Sequence, residues 1–217
     1  MKKITRFAFL ISIAAITTSL LGCNNPKAAN KENFAKVITE EIAKNPYQFP
    51  NNGYRCEMNL GKMPIEISSE WGSDGFSFIG SQGYEALAKA GLLTSQVVGE
   101  VEKTNVLNTG YKITITKYDL SDKGKQIAKE DNGTYSLPYC KIGFKEIKLF
   151  TEPSDGEGIT YSKVDYTVVV EKVEDWVKNP EILKNVPYVQ RFVDLVGKPQ
   201  DIKQLFQLTN EGWVVQD

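Results

Sequence analysis

Residues 30–44 have the spacing of apolar side chains that is typical of an amphipathic helix. The apolar positions of one face are Phe34, Val37, Ile38 and Ile42. Asn30 can cap this helix at its start. Asn45 and Pro46 end it, because a residue before proline disfavours the helical region.

The middle of the chain predicts a helix, a β-ribbon and a second helix. The helix covers residues 81–93, and the ribbon is formed by residues 97–107 and 111–120. The alternation of apolar residues changes phase before Tyr118, which predicts a β-bulge. A further short helix is predicted over residues 121–129.

The last third of the chain predicts long strands. Residues 140–151 and 159–173 form two of them, and residues 204–208 and 213–215 form a closing hairpin. A helix begins at Asn179, which can cap it ahead of a proline. These elements predict an α+β fold in which N-terminal helices and a β-ribbon precede an antiparallel sheet crossed by a helix.

The first 21 residues have the pattern of a secretory signal. Lys2, Lys3 and Arg6 precede an apolar run over residues 7–21, with no acid among them. This run is shorter than the roughly 20 apolar residues that a spanning helix needs. We therefore expect export of the chain.

The sequence L-L-G-C at residues 20–23 resembles the lipobox of bacterial lipoproteins. The resemblance implies that a diacylglycerol is attached to the thiol of Cys23 and that cleavage leaves Cys23 as the first residue. Asn24 in place of an aspartate implies sorting to the outer membrane, facing the periplasm. The alternative is an ordinary secreted protein with a chance cysteine.

These features divide the chain into four parts. Residues 1–22 are the signal peptide and residues 23–31 a polar, disordered lipidated tether. Residues 32–135 form an N-terminal α+β lobe, and residues 136–217 form the C-terminal sheet with its helix.

Charge and composition limit the possible partners and chemistry. Without residues 1–22 the chain carries 23 Lys and Arg against 27 Asp and Glu, a net charge near −4, so nucleic acid is not an expected partner. The chain has no histidine, which excludes Ser-His-Asp and Cys-His catalysis and any histidine metal ligand. We therefore predict no enzyme, no cofactor and no metal site.

Cys56 and Cys140 remain as a pair once Cys23 carries lipid. An even pair in an exported protein predicts a disulfide. The alternatives are a thiol nucleophile and a metal-binding pair, and both need further partners.

Two stretches carry further resemblances. A-G-L-L at residues 90–93 and Y-D-L-S-D-K-G-K at residues 118–125 resemble winged-helix DNA-binding proteins, which implies a shared shape. Lys89 is the one basic residue of the preceding helix, so DNA binding is not predicted. Residues 118–213 are similar to uncharacterised proteobacterial envelope lipoproteins, and this similarity carries no catalytic residue with it. The matching sequence stretches are Y-D-L-S-D-K-G-K, Y-C-K-I-G-F, D-W-V-K-N-P-E and L-T-N-E-G-W.

Two groups of acids and three tryptophans are candidate sites. The acids are Glu152, Asp155 and Glu157 in one loop, which could hold calcium, and Glu171, Glu174 and Asp175 before a helix. Both groups are more typical of ordinary turns and solvated helix starts. Trp176 and Trp213 are expected to seal the core, whereas Trp71 lies among glycines and is the predicted interaction residue.

The sequence thus favours a non-catalytic, membrane-anchored binding module of the cell envelope. One alternative is a carboxylate-dependent enzyme acting on a cell-wall polymer or glycan, which requires a cleft with two carboxylates. Another alternative is a small-ligand carrier, which requires a large apolar pocket.

Overall fold

A computed structural model describes residues 25–50, 54–72, 79–104 and 109–216 and shows an α+β fold. The helices are α1 (Lys31–Lys44), α2 (Ser81–Lys89), α3 (Asp122–Ile127), α4 (Pro180–Asn185) and α5 (Gln190–Asp194). The strands are β1 (Glu57–Gly61), β2 (Ile65–Ser68), β3 (Leu93–Thr104), β4 (Gly110–Leu120), β5 (Lys129–Asp131), β6 (Thr134–Pro138), β7 (Cys140–Phe150), β8 (Ser154–Gly156), β9 (Ile159–Val173), β10 (Gln200–Leu208) and β11 (Trp213–Val215). Two 3₁₀ turns lie at Asp175–Lys178 and Pro187–Val189. The predicted fold class is confirmed.

The described residues form three antiparallel sheets. The main sheet has the strand order β11-β10-β9-β7, with β8 paired to β9 beyond the end of β7. The two smaller sheets have the orders β1-β6-β5 and β2-β4-β3. The predicted long strand at Ile159–Val173 is therefore the central strand of the main sheet, and both of its faces are partly covered.

Helix α1 crosses the main sheet and supplies the centre of its core. The Asn30 side chain caps it by accepting a hydrogen bond from the Asn33 N–H at 2.8 Å, which confirms the predicted start. Phe34 is completely buried among three aromatic rings, whose centroids lie 5.1–5.3 Å away and belong to Phe150, Phe206 and Trp213. The helix across the sheet is therefore the first one of the chain, whereas α4 packs against α2.

The two predicted lobes contribute to the same packing. A single cluster of buried apolar side chains includes residues from α1, β1, α2, the main sheet and α4. The predicted division between residues 135 and 136 passes through β6, which pairs with β1.

Residues 25–30, here called the lead segment, are bound to the fold. The Asn33 side-chain amide, 9% exposed, donates to the carbonyl oxygens of Asn25 and Ala28, each at 2.8 Å. The indole N–H of Trp213 donates to the same Ala28 oxygen at 3.2 Å. The expectation of a disordered tether is therefore wrong for these six residues, because a buried amide and an indole satisfy their carbonyl groups.

The predicted disulfide between Cys56 and Cys140 is confirmed. The two Cα atoms lie 5.0 Å apart, and both residues are buried. Cys56 directly precedes β1 and Cys140 begins β7, so the bond joins a small sheet to the main sheet. Such a bond favours an oxidising compartment.

The two stretches that resemble winged-helix proteins, residues 90–93 and 118–125, contact each other. The Ser121 side chain caps α3, and its hydroxyl donates to the Gly91 carbonyl oxygen at 2.7 Å. A Cβ atom added at Gly124 would lie 2.1 Å from the Leu92 carbonyl oxygen, so only glycine permits this approach. Helix α2 ends earlier than predicted because Leu93 already begins β3.

Three buried tyrosines make the fold sensitive to alkaline pH. Tyr84, Tyr139 and Tyr166 are at most 2% exposed. Burial raises the pKa of Tyr84 to about 12, and it also raises the pKa values of Tyr139 and Tyr166. The fold therefore favours the neutral phenols at pH values where an unfolded chain ionises.

We expect the stability to fall as the pH rises above about 10, where tyrosine in an unfolded chain begins to ionise. The contribution of these phenols is fully present below that pH and is lost as the pH approaches the folded pKa of about 12. Urea unfolding followed across this range, with Tyr166→Phe as the control, checks the expectation. The control should show a shallower fall, and an equal slope for both proteins would contradict it.

Candidate functional site

The β3–β4 ribbon, here called the edge ribbon, exposes apolar side chains along a free strand edge. Strand β3 has twelve residues, and it pairs with β4 on one side only among the residues that the structure describes. Val97, Val98 and Val101 are 60%, 45% and 43% exposed. An exposed, apolar edge strand of this length is a template for pairing with another chain.

A bulge interrupts the pairing of this strand at Val98. Val97 pairs with Thr116 and Gly99 pairs with Ile115, so Val98 is the extra residue between them. The prediction of a bulge before Tyr118 is wrong in its position, because the extra residue lies in β3 and the facing residues of β4, Ile115 and Thr116, are consecutive. Bulges often occur at sheet edges and redirect side chains.

Glu70 ties the ribbon to the segment that follows β2. Its carboxylate accepts hydrogen bonds from the Lys103 ammonium at 2.9 Å and the Tyr111 hydroxyl at 2.8 Å. Both hydrogen bonds lower the pKa of Glu70, and the bond from Lys103 has the larger effect. The Ser69 N–H also donates to the Thr114 carbonyl oxygen at 2.9 Å, so the end of the ribbon is held against the fold.

Trp71, the predicted interaction residue, lies beside this junction. Its ring stacks on Tyr84 with centroids 6.1 Å apart, and Tyr84 in turn contacts Tyr118. The side chain is half-buried and packs against the core. Trp71 therefore has both a structural contact and an exposed portion next to Glu70, and its role in binding stays a prediction. Trp213 seals the core as expected.

Four of the six candidate acids have ordinary partners, and these are Asp155, Glu171, Glu174 and Asp175. In the loop of residues 152–158, part of which forms β8, Asp155 accepts from the Thr160 hydroxyl at 2.6 Å. The other group forms ion pairs, which are Glu171–Lys141, Glu174–Lys172 and Asp175–Lys178. Within the described ranges, no three metal-ligating side chains come together.

A cleft of about 230 Å³ lies between α1 and the main sheet. Its lining combines apolar and polar side chains, which are Ile38, Glu41, Ile42, Asn45, Gln48, Phe49, Pro50, Tyr166, Gln204 and Val215. The Tyr166 hydroxyl donates to the Gln204 amide oxygen at 2.7 Å. Glu41 is the one carboxylate of this lining, and it forms an ion pair with Lys44.

The predicted lipidation site, Cys23, lies outside the described residues, as does the predicted signal peptide. None of the helices within the described ranges is long and apolar enough to cross a bilayer.

Comparison with curated proteins finds a distant similarity. The chain is 25% identical over 191 aligned residues to the cyclic di-GMP phosphodiesterase PdeF of Escherichia coli strain K12. The match covers 79% of this chain and 23% of that protein, so the chain spans about a quarter of its relative. No family model and no solved structure matches the chain.

Proposed function

We propose that the protein is a lipid-anchored, periplasm-facing lipoprotein that binds another envelope protein through the edge ribbon and performs no catalysis. The observation that supports the binding role is the exposed edge of β3 with its three valines. The lipobox resemblance at Cys23 and the disulfide support the location.

A strand of a partner protein would extend the sheet by pairing with the edge of β3. The edge of β3 offers backbone N–H and C=O groups with which no described strand pairs, and alternate side chains provide specificity. Natural edge strands are commonly protected by proline, by charged side chains, by bulges or by short length. Strand β3 has a bulge at Val98 and two glutamates, Glu100 and Glu102, but it is twelve residues long and exposes three valines. Strand β3 has no proline, and its one lysine, Lys103, is held by Glu70 at the end of the strand.

The test replaces the apolar edge with charge. Val98→Lys combined with Val101→Lys should abolish capture of the partner, because two ammonium groups would lose hydration in the contact. The measurement is crosslinking in the native envelope, with a photoreactive amino acid at the exposed position Gln96.

The matched control is Leu149→Lys combined with Val214→Lys on the main sheet. These residues are 55% and 40% exposed, so the control adds the same charge at similar positions. The control should keep the crosslinked band. A crosslinked band that persists with the ribbon variant would refute the ribbon as the binding surface. Capture that is unchanged by Trp71→Ala would show that Trp71 is not part of the binding surface.

A small-ligand carrier is the second candidate, and the cleft at Tyr166 and Gln204 favours it. The cleft is somewhat smaller than the roughly 300 Å³ at which ligand pockets begin. A small molecule that copurifies and is released by Gln204→Leu would support this candidate. The enzyme alternative requires two carboxylates about 5–10 Å apart, and Glu41 is the single carboxylate among the residues that line the cleft.

A further inference from the structure

The lead segment limits how far the fold can stand from a lipid on Cys23. Asn25 is the first described residue, two positions after the predicted lipidated cysteine. Two residues span at most about 7 Å even when fully extended. A fold that begins at Asn25 is therefore kept close to the membrane surface.

The hydrogen bonds of the lead segment fix its place on the molecule. Asn33 in the first turn of α1 binds two of its carbonyl groups, and Trp213 in β11 binds one of these from the other side. Gly212 lies directly against Pro26, where an added Cβ would come within 3.0 Å of the Pro26 carbonyl oxygen. The segment is thus held between the start of α1 and the turn that joins β10 to β11.

The register of the main sheet shows at which of its two ends the lead segment lies. One row across the strands consists of Val214, Gln207, Tyr161 and Ser154. The β10–β11 and β8–β9 turns therefore lie at the same end of the sheet as the lead segment. The other end, at the Cys140–Val173 pair, is twelve residues along β9, or about 40 Å away.

We propose that the end of the main sheet formed by its β10–β11 and β8–β9 turns rests on the lipid headgroups. This inference rests on the proposed lipidation of Cys23. The β1-β6-β5 sheet joins the main sheet through β6 and Cys140, at the end that lies away from the bilayer. The edge ribbon is linked to β1 through Tyr84, which donates to the Leu60 carbonyl oxygen and contacts Tyr118 in β4. The membrane would then orient the molecule, and the edge ribbon would belong to its outer part.

The lipid anchor, rather than electrostatic attraction, would hold the two turns against the lipid headgroups. The lead segment and the start of α1 bring Lys27 and Lys31, whereas the two turns bring Glu157 and Glu211. Opposite signs at one end give little net attraction to anionic lipids. The contact should therefore persist at high salt, where exposed charges are screened.

The experiment uses the mature acylated protein in vesicles of phosphatidylethanolamine and phosphatidylglycerol that contain a headgroup-nitroxide lipid. A fluorophore is attached to Asn210→Cys in the β10–β11 turn or to Lys198→Cys, which follows the Gly197–Val170 contact at the other end. Both positions are exposed. We expect several-fold stronger quenching at position 210 than at position 198, at low and at high salt.

A longer tether provides the matched control. About 16 Gly and Ser residues inserted between Asn24 and Asn25 add an average reach of roughly 20–24 Å and leave the lead segment intact. Quenching at position 210 should then fall to the level at position 198. Persistence of the difference with the long tether would show that the anchor does not hold this end.

The outcomes separate this inference from the proposed function. Mass spectrometry of the N-terminal peptide reports the lipid on Cys23 independently of orientation. A peptide without lipid would overturn the lipoprotein proposal itself. A lipidated protein with equal quenching at both positions would overturn the orientation and leave the lipoprotein proposal standing.

Discussion

Reduction of the Cys56–Cys140 disulfide should lower the free energy of unfolding by about 4–5 kcal/mol in the chain-entropy description. The two cysteines are 84 positions apart, so the bond removes a large part of the freedom of the unfolded chain. Domains of this kind are stable by only about 5–15 kcal/mol, so the loss would be a large share of the total. Urea unfolding with and without dithiothreitol measures it.

The control is the variant with Cys56→Ala and Cys140→Ala. Both residues are at most 2% exposed, so alanine removes only a small buried group besides the bond. This variant should unfold at the same urea concentration with and without reductant. An unchanged midpoint for the native protein, after complete reduction is shown by thiol counting, would contradict the prediction.

Phe34→Ala should destabilise the fold by about 3–5 kcal/mol, which is the usual cost of removing a buried aromatic ring. Phe34 is completely buried and contacts the rings of Phe150, Phe206 and Trp213. Alanine would leave a cavity at the contact between α1 and the main sheet. The measurement is the urea concentration at the midpoint of unfolding, compared between proteins whose unfolding transitions have the same slope.

Two variants on the same helix control this result. Lys36→Ala removes an exposed side chain and should change stability by less than about 0.5 kcal/mol. Phe34→Leu retains much of the apolar volume and should fall between the native protein and Phe34→Ala. Equal effects of Phe34→Ala and Lys36→Ala would show that the ring does not hold the helix.

Local patterns predicted the elements that have clear periodicity. Asn30 and the apolar face of α1 predicted the first helix, and alternation predicted β9 from Ile159 to Val173. Asn179 with the following proline gave the start of α4. The disulfide was predicted from two cysteines in a chain for which export is expected, an argument that needs no knowledge of distance.

Contacts between distant residues could not be predicted in this way. The residues of the lead segment are polar and include a proline, a composition typical of a flexible tether. Their order comes from Asn33 and from Trp213, which is 185 positions away from Ala28. No sequence pattern singles out Asn33, whose side chain is buried beside Phe34 and donates to the lead segment.

The candidate site was predicted only in part. Trp71 does lie beside the edge ribbon, but its stacking on Tyr84 depends on α2 and could not be foreseen. Residues 97–107 were predicted as one strand of the ribbon, and this strand includes Val97, Val98 and Val101. Their exposure follows from the strand order β2-β4-β3, which leaves β3 at an edge, and local sequence carries no information on that order.

The contact between α1 and β11 has a consequence for the time course of folding. The partners of Phe34 come from β7, β10 and β11, so each of them lies far from the first helix along the chain. Native contacts at such separation in sequence make folding slow. Until those strands are in place the apolar face of α1 stays exposed, and the incompletely folded chain is prone to aggregation.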